Sequence, residues 1–203
     1  GYKLNSNVYE IKVTETKGDT NVVVENGEAV SVTEFTASAA LLLNGSEGNS
    51  FDPIVITGKK TSMPHGVPGD EVIHEGDFVT MDFGVLYQGY CSDMTRTFFC
   101  ETADPDYAAI HDLVRSANDK AESLIRPGMR FCDLDKAARD VISEAGYGEY
   151  FTHRLGHSIG MQAHEAGDVS QGNPAEIQEG MTFSIEPGVY LPGKFGVRVE
   201  DLV

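Results

Sequence analysis

A chain of 203 residues can bury a sizeable core, and 40% hydrophobic with 23% charged residues is ordinary globular make-up. A net charge of −17 argues against a nucleic-acid partner, because a phosphate backbone repels such a surface. The longest apolar cluster, Ala39 to Leu43, is far too short to span a bilayer, so no membrane segment is expected.

Residues 1 to 31 alternate polar and apolar side chains (Val8, Ile11, Val13, then Val22 to Val24) around turn signals at Lys17-Gly18-Asp19 and Asn26-Gly27, which predicts short strands. From Thr33 the spacing of Phe35, Ala39, Leu42 and Leu43 becomes helical, with Thr33 as N-cap and Asn44-Gly45 as the stop. Phe51 to Gly58 reads as a buried strand, followed by a loop rich in Pro and Gly from Pro64 to Asp70. Two strands are expected over Asp77 to Tyr87 and Tyr90 to Glu101, joined through Gln88-Gly89. A helix opens at Asp104-Pro105 and stops at Pro127-Gly128, and a second runs from about Asp133 to Gly146. The last strands are Met181 to Glu186 and Phe195 to Val203. This order predicts an α+β fold with an antiparallel or mixed sheet, organised as a strand-like segment over 1–31 and one domain over 32–203.

Cys91, Cys100 and Cys132 have no paired spacing and no CxxC, which argues against a disulfide framework or a zinc ribbon. Free thiols and the absence of a signal-peptide pattern fit a cytoplasmic setting.

The chemistry gathers at a few acids that a solvated surface does not explain. Asp82 follows the apolar run Phe78 to Met81, where a lone carboxylate is costly unless it is paired or bound to a cation. Asp82 and Asp93 are centred on the Tyr87–Gln88 junction. A two-residue turn at Tyr87-Gln88 or at Gln88-Gly89 puts them on one sheet face, opposite or diagonal. Glu186 and Glu200 are centred on Gly193, so a loop of odd length there again places both acids on one face. Four converging carboxylates with no clustered lysine demand a metal. His153, His157 and His164, half of the chain's six histidines, fall in one short block and supply an imidazole, while the HExxH pattern is absent. Carboxylates with one imidazole suit Mn²⁺ first, with Co²⁺ and Zn²⁺ also fitting. Two such ions sharing a hydroxide form machinery for amide hydrolysis.

At these residues the chain resembles the pita-bread metallopeptidases: Xaa-Pro aminopeptidases, prolidases and methionine aminopeptidases. The resemblance runs from about Thr33 to Val203. Its blocks are Pro64-His65-Gly66, Met81-Asp82-Phe83-Gly84, Ser92-Asp93-Met94-Thr95-Arg96-Thr97, the histidine block, Glu186-Pro187-Gly188-Val189-Tyr190 and Gly196 to Asp201. It implies a curved antiparallel or mixed sheet with flanking helices. It also implies two divalent ions, with Asp82 chelating one, Asp93 and Glu200 bridging, and His157 and Glu186 completing the other shell. Glu186 would also be the general base. His65 and His153 would face the substrate, His153 near a proline ring, His164 would stabilise the tetrahedral intermediate, and Arg198 would orient the acids. The Glu-Pro-Gly-Val-Tyr and Ser-Asp-Met-Thr-Arg-Thr-Phe blocks lie nearer the Xaa-Pro branch, so the implied substrate is a peptide with proline second, cut after residue one.

The chain departs from the family pattern in several places, a helical start shorter than expected among them. Arg154 stands where the family often has glycine, putting a long cation near the expected mouth. The N-terminal domain common in the Xaa-Pro branch is not recognised in residues 1 to 31. Glu200 lies three residues from the last residue, which predicts a frayed ligand, with the N-terminal strands expected to pair against that edge. Two alternatives compete with the enzyme: a pita-bread module that binds peptides or proteins without catalysis, and a metal-independent creatinase-type relative. The five intact ligands weigh against both. Oligomeric state stays open, a homodimer included.

Overall fold

The computed structural model describes residues 46–203 together with three short N-terminal strands: β1 (Lys12–Thr14), β2 (Asn21–Val23) and β3 (Ala39–Ala40). β1 pairs antiparallel with both β2 and β3. Ala39 and Ala40, expected in a helix, are therefore strand. The rest of that expected helix lies outside the described residues. Nor does β1 pair with the C-terminal edge, which β12 occupies as described below.

Further along come β4 (Gly48–Asn49), β5 (Ile54–Thr57), β6 (Phe78–Phe83), β7 (Val85–Tyr87), β8 (Tyr90–Cys91) and β9 (Met94–Phe99). Helices α1 (Pro105–Glu122) and α2 (Phe131–Glu144) precede β10 (Gly156–His157), β11 (Asp168–Val169), β12 (Ser184–Ile185), β13 (Gly188–Leu191), β14 (Phe195–Arg198) and β15 (Asp201–Leu202). Every described strand pair is antiparallel, so the mixed alternative drops out of the α+β expectation. Among the described residues no helix is long and apolar enough to cross a membrane.

Two hairpins carry the site. In the first, β6 pairs with β9 and β7 with β8 in one continuous register, turning through Gln88-Gly89 with both residues at positive φ (51° and 79°). Asp82 faces Thr95 in that register, so Asp93 lies diagonal to it on the same face. In the second, β13 pairs with β14 around the three-residue loop Pro192-Gly193-Lys194, and β12 with β15 in the same register. That register sets Glu186 opposite Glu200, as an odd-length loop requires. The hairpins lie side by side. Glu200 N–H donates to Thr95 O (3.1 Å), and the Thr97 hydroxyl donates to Arg198 O (2.9 Å) while accepting from Arg198 N–H (3.2 Å).

Both helices cover this layer from one side. Asp104 caps α1 by accepting from Asp106 N–H (2.8 Å), Pro105 occupies the first turn, and Val114, Ala117 and Ala121 face a core shared with Leu134, Ala138 and Ile142 of α2. Helix α2 also clamps the approach to the histidine block. Asp135 is fully buried and accepts from Arg139 and from Leu155 N–H (3.1 Å), while Arg139 donates to Phe151 O (2.7 Å) and His153 O (2.9 Å). Removing one partner of such a pair strands the other in low dielectric. Asp135→Ala should therefore lower stability by about 3 kcal/mol. A urea titration should show the midpoint falling with the slope unchanged.

Candidate metal centre

The hairpins bring Asp82, Asp93, Glu186 and Glu200 into one cavity, and β10 adds His157. The cavity measures about 580 Å³, and His65, His153, His164, Arg154 and Arg198 also line it. All nine residues singled out from the sequence thus meet in one place. Ligand-capable atoms of Asp93, His157 and Glu200 lie within 4.8 Å of one another. Asp82 and Glu186 flank this group. Glu186 Oε1 is 3.5 Å from His157 Nε2, as is Asp93 Oδ2.

His157 is oriented for coordination. Its Nδ1 lies 3.2 Å from the Ser158 carbonyl, which can only accept, so the proton sits on Nδ1 and the Nε2 lone pair points at the acids. Gly156 makes this approach feasible, since a Cβ there would stand 1.9 Å from Ser184 O. The Ser184 hydroxyl accepts from His157 N–H (3.0 Å) and donates to Glu186 Oε1 (3.0 Å), tying ligand to ligand.

Among the described residues, Arg198 is the guanidinium that pairs with a carboxylate of this cluster. Buried to 4% exposure, it donates to Asp82 Oδ2 (2.5 Å), to the Tyr190 hydroxyl (3.1 Å), to Pro64 O (2.8 Å) and to Thr95 Oγ1 (3.0 Å). Thr95 then donates to Glu200 Oε2 (2.6 Å). One cation therefore orients acids on both hairpins. Glu200, expected to fray, is held instead: it is 2% exposed, and Val203 and Phe183 exchange both backbone hydrogen bonds (3.0 and 3.1 Å).

Several positioning groups escaped the sequence reading. Arg96 holds the Glu200 backbone by donating to Glu200 O (2.6 Å) and Asp201 (2.5 Å). Asn118, buried on α1, donates to Ile185 O (2.9 Å) and Val199 O (3.4 Å), the residues just before the two glutamates. A polar residue on the apolar face of α1 was the available signal. Tyr190 accepts from Arg198 and donates to His153 Nε2 (2.9 Å), whose Nδ1–H donates to Arg154 O (2.7 Å). Both His153 nitrogens are thus engaged within the protein, and burial lowers its pKa to about 4, keeping it neutral. His164 is exposed, its ring 4.2 Å from that of His157.

The donor set fits a divalent cation. Asp82 Oδ1 and Asp93 Oδ1 are buried with no hydrogen-bond partner, the condition that a metal relieves. Burial pushes the Asp82 carboxyl up to about 6, against the pull of Arg198 and with repulsion from Asp93 added. Burial also raises Glu186, and raises Glu200 strongly, the latter reinforced by the charges of Glu186, Asp93 and Asp82. These acids favour the folded state while protonated, so their contribution is complete below the ordinary carboxylate range and is lost as pH rises through the folded values. For Asp82 alone the loss spans about pH 4 to 6 and is worth about 3 kcal/mol. In excess chelator the melting temperature should therefore fall across that window by more than in Asp82→Asn, and saturating divalent metal should abolish the difference. Equal slopes for both proteins in chelator would contradict this electrostatic account.

The chain matches the profile of metallopeptidase family M24 over residues 20–203. The curated Bacillus subtilis relative YkvY, whose dipeptidase name is itself provisional, is 46% identical over 86% of this chain and 48% of its own length. Prolidase from Pyrococcus furiosus is 42% identical with a TM-score of 0.76, over 78% of this chain and 47% of that one. The Xaa-Pro dipeptidase from Bacillus anthracis is 42% identical with the same TM-score, over 78% of this chain and 44% of that one. The chain spans about half the length of the curated relatives it matches. Its pita-bread architecture and its sequence agree: this chain belongs to metallopeptidase family M24.

Proposed function

We propose that this protein is a peptidase that releases the first residue of short peptides with proline second, using two divalent ions, Mn²⁺ first among the candidates, and that it acts in the cytoplasm. The observation that carries this reading is the convergence of four carboxylates and one oriented imidazole from two hairpins, with two buried carboxylate oxygens unsatisfied. Asp82, Asp93, His157, Glu186 and Glu200 would hold the ions. When bound, such ions supply Lewis acidity toward a peptide carbonyl and acidify a water to near neutral pH.

The chain's own residues do the rest. Glu186, its affinity for protons raised by burial, takes a proton from the attacking water and returns it to the leaving nitrogen. His164, exposed beside His157, donates an N–H to the oxyanion as it forms. His153 has both nitrogens engaged and stays neutral, so it offers substrate a ring surface rather than a proton, which suits a pyrrolidine. His65, on the loop whose Pro64 carbonyl Arg198 holds, lines the same cavity. The relatives named as prolidase and Xaa-Pro dipeptidase support proline in the second position.

The test is hydrolysis of an Xaa-Pro dipeptide by chelator-treated protein before and after Mn²⁺ is restored. Activity should appear only with metal and fall by roughly a thousandfold or more in Asp93→Ala. A folded, metal-loaded protein that cleaves no Xaa-Pro peptide would overturn the assignment in favour of a binding module.

A further inference from the structure

An imidazole that stabilises a developing charge must be held in place, because a misplacement of about 1 Å can cost about a hundredfold in rate. His164 is exposed, and among the described residues its ring makes no hydrogen bond; it packs on the His157 ring, 4.2 Å away between centres. Its placement therefore rests on its backbone. His164 lies at the tip of the hairpin formed by β10 and β11, where Ser158 O accepts from Glu165 N–H (2.9 Å) and closes the turn.

The first half of that tip is fastened to its neighbours. Ile159 O accepts from the Thr182 hydroxyl (2.6 Å), and Gly160 O accepts from Cys91 N–H (2.7 Å). The second half, from Gln162 to His164, is tied by less. Among the described residues it has two hydrogen bonds: Gln162 O accepts from Gly160 N–H (3.1 Å), and Gln162 N–H donates to Glu165 Oε1 (3.2 Å). The same carboxylate oxygen accepts from Met161 N–H (2.7 Å). Glu165 thus holds the tip twice, through its own N–H at the base and through its carboxylate at the crown, with His164 enclosed between.

Bonds from backbone N–H to a carboxylate are charge-assisted and stronger than neutral ones, which suits an exposed loop with little else to hold it. Gly160 gives the carboxylate its room, since a Cβ there would stand 2.7 Å from Glu165 Oε1 and 2.9 Å from Oε2. Glu165 is not among the residues that line the cavity, so it reaches the reaction only through the histidine beside it.

Resting on the peptidase reading, we propose that Glu165 is a positioning residue: by gripping Met161 and Gln162 N–H, its carboxylate holds the His164 imidazole where the oxyanion forms. Gly160 belongs to the same device, as the residue whose missing side chain admits the carboxylate.

The experiment is a double-mutant cycle on Ala-Pro hydrolysis by the Mn²⁺-loaded full chain, pairing Glu165→Ala with His164→Ala. His164→Ala should lower kcat by about a hundredfold, the usual loss for one oxyanion donor. Glu165→Ala should lower kcat by about tenfold with KM changed by less than about twofold, and should cost nothing further in the His164→Ala background. Glu165→Gln keeps an acceptor oxygen for both N–H groups without the charge, so it should recover most of kcat. Gly160→Ala keeps the charge but displaces the carboxylate, so it should behave as Glu165→Ala does. Equal losses from Glu165→Ala in both backgrounds, a Glu165→Gln protein as slow as Glu165→Ala, or an unimpaired Gly160→Ala protein would each overturn the proposal. Should the wild type cleave no Xaa-Pro peptide, the peptidase reading fails by itself. The nuclear Overhauser contact between the His157 and His164 rings in the chelator-treated chain then decides the role of Glu165. It should be present in the wild type and in Glu165→Gln and vanish in Glu165→Ala; its absence from the wild type, or its survival in Glu165→Ala, would overturn the proposal.

Discussion

Four carboxylates confined to one buried pocket are the constraint to which the rest of this structure responds. At separations near 4 Å, each like-charged pair costs about 4 kcal/mol in a protein-like dielectric. A single guanidinium cannot neutralise them, yet Arg198 does more than supply charge. It grips Asp82 on one hairpin and, through Thr95, Glu200 on the other, so the two acidic hairpins share one rigid fork. What Arg198 leaves over is directional: oxygens of Asp82 and Asp93 face inward without partners, together with the His157 lone pair. That remainder defines a cation site.

The helices contribute no ligand, but they set where the ligands stand. Asn118 of α1 bonds the backbone just ahead of both Glu186 and Glu200, where the strand pairs are interrupted. Asp135 and Arg139 of α2 fix the segment from Phe151 to Leu155 and so the entrance to the histidine block. Sites held this way are organised before any ion arrives, which is what precise coordination and precise substrate placement both require. The same clamp holds the backbone on both sides of Arg154, just ahead of His157.

Much of this was legible in the sequence because hairpin registers are arithmetic. Asp82 with Asp93, and Glu186 with Glu200, are symmetric about turn residues, and period-two geometry forces each pair onto one face. Side-chain identity at the sites was legible too, since a carboxylate beside an apolar run needs a partner. Long-range hydrogen bonds were not. Arg96 to Glu200 O, Asn118 to Ile185 O and Arg139 to His153 O join elements whose mutual placement no local pattern encodes. Propensity misled at Ala39 and Ala40, where helical spacing lost to a strand pairing with β1. It also misled at Glu200, where nearness to the last residue suggested fraying while Phe183 and Val203 close the ladder.

Equilibrium dialysis of the purified chain against Mn²⁺, with metal counted per chain in the wild type and in Glu200→Gln, tests the central claim most directly. The account predicts saturable binding that approaches two ions per wild-type chain and is sharply weakened in the variant. A folded wild-type chain that retains no Mn²⁺, or a variant that binds as the wild type does, would contradict it.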